Sequence, residues 1–557
     1  MSPRAKRLAA IGVAVLVVAG VVAGVALVGA RPGAGAPAAL PAPRYADEAA
    51  TAGVEHRYDG DFTHVVGGGV AVLDCDDDGR PDLYFAGGER PAGLYRNRSA
   101  VGGSLAFEQV EGGATDLDAV VGAYPLDVDG DGLTDLAVLR VGENVLLRGT
   151  GDCGFERANE RWGFDGGSSW STAFSATWEA GASLPTLAVG NYLILDESGA
   201  PSFTCDEGEL HRPVGDRYGD PAALTPGWCP LSMLFSDWDR SGRRDLRVSN
   251  DRHYYRDGQE QLWRINPGEP ARPWTADDGW KPLRVWGMGI ASRDLTGDGY
   301  PEVYLTSQGD NKLQALTEPG SGTPSYDDIA LRRGVTAHRP YAGDTTMPST
   351  AWHPEFADVN NDGLVDLFVS KGNVEAQTDH AALDPSNLLI GQADGTFVEG
   401  AGDAGILDYD RARGAALTDL NLDGLLDLVV VTRREPVQLW RNVGAGTASE
   451  PEPMGHWVAL RLEGAGVNRD AIGAWVEVRS GQRVTRIETT VGGGHVSGQL
   501  GWLHIGLGDA DRAEVTVTWP DGSVGPALDV EADGFAIIEQ TASAAMPWSD
   551  PSAGDDE

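Results

Sequence analysis

Short apolar runs separated by Gly and polar turns fill most of this chain, and the 3.6-residue period of a helix does not appear in them. A run of small residues comes first, as in GGGVAVLD (67–74), GMGIASRD (287–294) and ARGAALTD (412–419). An apolar run then leaves an acidic loop: DLYFAGG, DLAVLRV, DLFVSKG and DLVVVTR. A third run follows at 93–97 (GLYRN), 144–149 (NVLLRG), 261–265 (QLWRI), 387–391 (NLLIG) and 438–442 (QLWRN). A fourth is marked by Phe after a Gly turn, in GFERA (154–158) and GTFVE (395–399). Each unit therefore predicts four short strands. Radial repetition of four-stranded units predicts a β-propeller.

The acidic loops set the count. They begin at Asp74, Asp127, Asp237, Asp294, Asp358 and Asp419. One gap is double the others, and ATWEAGASLPTLAVGNY (176–192) fills it with the flanking strand pattern but no acids. Thr186 stands where the other copies carry their last acid, and Trp178, Ala180 and Ala182 take the other ligand places. Seven units follow, so the expectation is an all-β, seven-bladed propeller over 44–450. The stretch 46–56 resembles an outer strand and is expected to close the ring against the last blade.

The spacing in these loops is that of a calcium site. Asp127, Asp129 and Asp131 occupy positions 1, 3 and 5, Gly132 makes the sharp turn at 6, and Asp135 closes at 9. Alternate side chains then converge, with a backbone carbonyl at position 7, into six or seven oxygens suited to a hard, flexible-geometry cation. The first loop offers Asp74, Asp76, Asp78 and Asp82. The fifth offers Asp358, Asn360, Asp362 and Asp366, and the sixth Asp419, Asn421, Asp423 and Asp427. The third (Asp237, Asp239, Ser241, Asp245) and the fourth (Asp294, Thr296, Asp298, Glu302) carry weaker ligands and should bind less tightly. Several structural Ca²⁺ ions are the expected cofactor. Turn-forming Asp-Gly clusters are the alternative, but six copies in one register with an acid at position 9 favour metal.

These units resemble FG-GAP or VCBS repeats, the calcium-bearing blades of integrin α-subunit heads. The order GGGVAVLDCDDDGRPDL, then GLYRN, is similar to proteins related to cartilage acidic protein. NRDAIGA (468–474) and HIGLGDA (504–510) resemble the ASPIC/UnbV domain that closes those proteins. The resemblance implies the propeller and its calcium ligands, departs at the third unit, and says little about a ligand. Read alone, 455–541 alternates apolar and polar residues in HWVALRLEG, AWVEVRSG and AEVTVTWP, which predicts a small β-sandwich-like domain. The segment 542–557 is polar and acidic and reads as a disordered tail.

The N-terminus changes the compartment. Arg4, Lys6 and Arg7 precede a 23-residue uncharged stretch from Leu8 to Ala30. Residues 1–30 are expected to be a signal anchor or a cleaved signal peptide, and 31–43 a Pro/Ala/Gly linker. The rest would then lie outside the cytoplasm, membrane-anchored or secreted, in the periplasm or beyond. Four cysteines in an exported chain suggest disulfides. Cys205–Cys229 is the expected bridge, and pairing of Cys75 with Cys153 is left open.

Acids outnumber bases 83 to 43, for a net charge of −40, which argues against nucleic acid. No nucleophile elbow, P-loop or metalloprotease motif is present. His495 (VGGGHVSGQ) and His253 stand in Gly-rich or polar settings and read as solvated loop residues. The expectation is a non-enzymatic module for adhesion, binding a protein or carbohydrate at the cell exterior. The alternative is a hydrolase or metal-dependent enzyme with its site in the propeller funnel. The contact surface is expected on the propeller face and on 193–235, read as an irregular excursion.

Overall fold

Strand pairing follows the four-run pattern through seven antiparallel blades. The computed structural model describes residues 39–251, 258–336, 349–374, 381 and 384–551. His253 and the 1–30 segment lie outside these. Among the described residues no helix is long and apolar enough to cross a membrane.

Blade one comprises Val70–Leu73, Asp82–Phe85, Gly93–Asn97 and Phe107–Val110, and blade two Val120–Leu126, Asp135–Arg140, Val145–Gly151 and Gly154–Arg157. Blade three comprises Ser171–Thr177, Thr186–Asn191, Gly208–His211 and Ala222–Leu224. Blade four comprises Pro230–Ser236, Asp245–Asn250, Gln261–Arg264 and Arg272–Pro273. Blade five runs Gly287–Arg293, Glu302–Ser307, Lys312–Leu316 and Tyr326–Asp328, and blade six Ala351–Ala357, Asp366–Lys371, Asn387–Gly391 and Phe397–Glu399. Each innermost strand packs against the next, and that of blade seven returns to blade one. Their apolar residues interleave between blades, as Val138 and Leu147 of blade two do with Val72 and Leu83 of blade one.

Blade seven closes the ring. Ala412–Thr418, Asp427–Thr432 and Gln438–Asn442 come from the end of the propeller, and its outer strand is Tyr45–Asp47 from the beginning. Arg441 and Glu48 lock the seam, with Nε 2.9 Å from Oε1 and both residues buried. The other Glu48 oxygen accepts the Leu105 N–H at 2.7 Å. Breaking such a buried pair by removing one partner strands the other's charge.

The 193–235 segment is more regular than its Pro content suggests. Its 208–211 and 222–224 stretches are the third and fourth strands of blade three, and 230 onward begins blade four. Only the hairpin Leu193–Leu195/Pro201–Cys205 and the short hairpin 213–218 are additions. Cys205–Cys229 ties the longer hairpin to blade four, and Cys75–Cys153 ties blade one to blade two.

After the propeller come two four-stranded sheets. One contains Leu503–Gly508, His456–Glu463, Gly534–Glu539 and Met546–Trp548, and the other Arg483–Glu488, Trp475–Ser480, Arg512–Thr518 and Leu528–Glu531. Val458, Leu460, Val476, Ile505, Val515 and Trp519 fill the space between them. The expected disordered tail is corrected here. Met546–Trp548 pairs with Gly534–Glu539, and the Trp548 ring packs against Phe535 and Trp502. Residues 552–557 lie outside the described set.

Candidate functional site

One register runs through all seven blades. The residue before each loop pairs with the ninth loop position: Leu73 with Asp82, Leu126 with Asp135, Ser236 with Asp245, Arg293 with Glu302, Ala357 with Asp366 and Thr418 with Asp427. In the acid-free third blade Thr177 pairs with Thr186 in the same way. Thr186 donates to Glu179 at 2.8 Å, and Glu179 pairs with Arg212, so this loop is held by its own side chains.

Within each acidic loop the first Asp turns back on the chain. It accepts the N–H of position 6, as Asp127 does from Gly132 at 2.8 Å and Asp419 from Gly424 at 2.7 Å. The position-6 glycines of all six acidic loops have φ between 76° and 92°, the left-handed region where a Cβ is disfavoured. The ninth-position acid does a different job. Asp135 accepts the Val128 N–H at 2.7 Å and the Gly149 N–H at 2.8 Å, clamping the loop to the third strand. Asp82, Asp366 and Asp427 repeat this with Cys75 and Asn97, Val359 and Gly391, and Leu420 and Asn442.

One oxygen at the third position is left without a partner, although Asp76 Oδ2 pairs with Arg96 and Asp129 Oδ2 with Arg148. Asp76 Oδ1, Asp129 Oδ1 and Asn421 Oδ1 are buried and accept no hydrogen bond. A buried, unsatisfied acceptor is costly, and three at one loop position fit a cation there. Carboxylate oxygens of Asp74, Asp76 and Asp78 lie within 4.8 Å of one another, as do those of Asp127, Asp129 and Asp135. Burial, reinforced by like-charged neighbours, raises Asp74 and Asp127 to about 7 and Asp135 to about 8. A divalent ion would hold such groups ionised.

The remaining candidates are placed less tightly. Asp82 faces the Cys75–Cys153 disulfide, whose sulfurs are not available as ligands. Asp131 pairs with Arg148, which also holds Asp129. In the third loop Arg243 sits on Asp239 and Asp245 while Asp237 accepts from Gly242; Ser241 lies at the rim. In the fourth, Thr296 donates to Glu302, Asp298 accepts the Tyr300 N–H and Asp294 pairs with Arg486. In the fifth, Asn360 and Asp358 both accept the Asp362 N–H, and Asp362 Oδ2 accepts from Leu40. In the sixth, Asn421 donates to Asp423. No arginine pairs with a fifth- or sixth-loop carboxylate among the described residues, so these loops are the least obstructed.

The sandwich sits on this loop face and sends one segment into the propeller axis. Val491–Gly492 pairs with the inner strands of blades three and four, joining them into one sheet. Gly494 bridges Ile290 of blade five, Ser497 bridges Ala123 of blade two, and Gly498–Gln499 pairs with blade one. His495 is fully buried there, its ring 4.9 Å from Trp352.

A family model described as FG-GAP-like repeat matches residues 74–138 and 294–369, and one described as ASPIC and UnbV matches 464–545. The chain carries FG-GAP-like repeats and an ASPIC and UnbV domain. Cartilage acidic protein 1 of Mus musculus is 29% identical over 169 residues, covering 28% of this chain and 23% of the mouse protein. The Homo sapiens protein of that name is 24% identical over 189 residues, covering 30% and 26%. The matched stretch thus spans about a quarter of these relatives' length. Among solved structures, BBS1N in complex with ARL6DN is 12% identical with a TM-score of 0.40, covering 74% of this chain and 100% of that one. An Agrocybe aegerita lectin recognising non-reducing terminal N-acetylglucosamine is 14% identical with a TM-score of 0.36, covering 67% and 93%. At such scores neither likeness bears on function.

The ASPIC and UnbV segment in the axis explains a feature of the FG-GAP-like repeats that sequence reasoning passed over. Four residues before the end of the inner strand, blades one, two, five and seven carry Gly69, Gly122, Gly289 and Gly414. A Cβ on Gly69 would lie 1.8 Å from the Val496 carbonyl oxygen, and one on Gly122 2.1 Å from it. The same position in Gly414 faces Ser497 Oγ at 2.3 Å. These glycines make room for the inserted segment, so His495 is a packed axial residue and not a solvated one.

Proposed function

We propose that this protein is an exported, calcium-loaded propeller that binds a protein or glycan at the cell exterior. The carrying observation is the set of buried, unpartnered third-position oxygens Asp76 Oδ1, Asp129 Oδ1 and Asn421 Oδ1 among converging carboxylates. Two disulfides and no free cysteine support an oxidising compartment. The FG-GAP-like repeats, which resemble the blades of integrin α-subunit heads, support an adhesion-type role.

The binding surface is the face away from the sandwich. Strands two and three of each blade connect there, opposite the acidic loops, and the 193–205 hairpin projects from it. Phe203 (60% exposed) and Phe62 form an apolar patch, their rings 5.9 Å apart, and Ile194 is exposed on the same hairpin as Phe203. Binding is favoured over catalysis because residues 491–499 occupy part of the axis where a funnel site would lie.

The test is a screen of the purified chain against glycans and envelope proteins, with and without chelator, beside Phe203→Asp. Calcium-dependent capture that Phe203→Asp abolishes supports the reading. Turnover of a generic esterase, phosphatase or glycosidase substrate, with no partner captured, contradicts it.

A further inference from the structure

A cavity of about 510 Å³ lies between the inner strands and the sandwich, with Arg293 in its wall. We infer that it is a binding site for a small organic carboxylate, received by the Arg293 guanidinium. The volume falls in the range of small-molecule sites.

The Arg293 side chain makes no hydrogen bond and no ion pair among the described residues, and its Nε is buried without a partner. The three acids whose charge acts on Arg293 are committed elsewhere. Asp294 is held by Arg486 and the Gly297 and Gly299 N–H groups. Asp358 accepts the Asp362 and Gly363 N–H groups. Glu355 accepts from Gln499 at 2.6 Å and from the Leu417 N–H at 3.1 Å. Arg293 is half-buried, and a cation partly withdrawn from water with no contacting anion is unfavourable unless something supplies one.

The repeats act as an internal control. At the position of Arg293 the other blades carry Leu73, Leu126, Thr177, Ser236, Ala357 and Thr418, all neutral. Blade architecture therefore does not require an arginine there. Blade six departs likewise. Its Glu355 stands where the others have Ala71, Tyr124, Ser175, Leu234, Ala291 and Ala416. Its His353 stands where four blades have the axial glycine. Both face the same cavity as Arg293. The His495 N–H donates to His353 Nδ1 at 3.1 Å, which leaves the ring proton on Nε2, 3.3 Å from Glu355. That chain fixes one wall and keeps Glu355 off Arg293.

The ligand class follows from the chemistry of the wall. A guanidinium fork matches a carboxylate through two parallel N–H donors. Leu234, Ile290, Phe356 and Ile487 are the apolar part of a wall that also carries acids such as Glu355 and Glu488, and they suit a short carbon skeleton. Both features together select an organic acid over an inorganic anion.

The experiment uses the calcium-loaded full chain and titration calorimetry with hexanoate, succinate, their uncharged amides and sulfate. Saturable binding of at least one carboxylate below about 10 mM is expected, with its amide silent, sulfate much weaker, and affinity reduced about tenfold or more in Arg293→Gln. Without ligand, Arg293→Gln should melt at the wild-type temperature or above, since no contact is lost. The inference is overturned by no saturable carboxylate binding, by equal binding to Arg293→Gln, or by sulfate binding as tightly as the organic acids. A lower melting temperature for ligand-free Arg293→Gln also overturns it, because Arg293 would then be a structural residue.

Discussion

Arg486 of the sandwich places its Nη1 3.1 Å from Asp294, the first residue of the fourth acidic loop, while Glu477 braces the same guanidinium at 2.8 Å. All six acidic loops are touched this way. Trp502 Nε1 donates to the Gly79 carbonyl at 2.9 Å, and Asp470 accepts the Asp127 N–H at 3.1 Å. Glu488 accepts the Asp237 N–H at 2.7 Å, and Arg483 reaches the Asp362 carbonyl at 2.7 Å. A Cβ on Gly424 would overlap Trp457. Loop geometry and docking of the sandwich are therefore one structural problem. Arg486→Ala should cost about 1–3 kcal/mol, the worth of a hydrogen bond to a charged group. Hydrogen exchange in 489–502 should rise in that variant, and unchanged protection would count against the coupling.

Gly122→Val tests the inserted segment from the other side. Its Cβ would meet the Val496 carbonyl at 2.1 Å and the Val496 side chain at 2.7 Å. Backbone on both sides leaves no cheap relief, so a loss of about 1–3 kcal/mol or more is expected from overpacking. Protease cleavage within 489–502 should accelerate. A variant as stable and resistant as wild type would show that the segment does not occupy the axis.

Cys75 lies at the second position of the first loop and Cys153 in the hairpin between the third and fourth strands of blade two. The bridge spans 78 residues of sequence and joins neighbouring blades. Replacing both by Ser should cost about 2–4 kcal/mol through the freedom regained by the unfolded chain. Denaturant unfolding of the double variant measures this, and a change under 0.5 kcal/mol would contradict it.

Burial, aided by the nearby Arg413 charge, lowers His495 to about 3. Burial likewise lowers His56 to about 4. A folded pKa below the unfolded value of about 6.5 gives stability that is complete above that pH and is lost as pH falls. Each should lose about 2 kcal/mol of its contribution between pH 7.5 and 5. At fixed saturating calcium, His495→Gln should therefore shrink the difference in unfolding free energy between those pH values by about that amount. An equal difference in variant and wild type would rule out a neutral, buried His495.

The blades were legible because their signal is local. Asp at position 1, Gly at 6 and an acid at 9 dictate a turn, and the small and apolar runs beside it dictate strands. Even the acid-free blade could be found, since Thr186 keeps the register when the charges are gone. Apart from the closure of the ring by its N-terminal strand, what the chain does across long separations was not legible. GGGH at 492–495 looks like any exposed Gly-rich loop until Gly69, Gly122 and Gly414 are seen to leave space for it. The acidic composition of 542–557 hid Trp548, whose packing on Phe535 outweighs the polar residues around it. Pro residues in 193–235 masked the two strands that complete blade three. Third-position ligands were visible by spacing, whereas Arg148 and Arg243 among the loop acids were not.

Calcium is the centre of the account, and the melting temperature of the chain in excess chelator against millimolar calcium tests it most directly. A site held at 100 times its dissociation constant contributes about 2.7 kcal/mol. Emptying several should lower the melting temperature by roughly 10 °C or more. Asp131→Ala should shrink the calcium-dependent shift more than Thr296→Ala, because it removes a charged ligand from a converging loop. A melting temperature that is the same with chelator and with calcium would contradict the account.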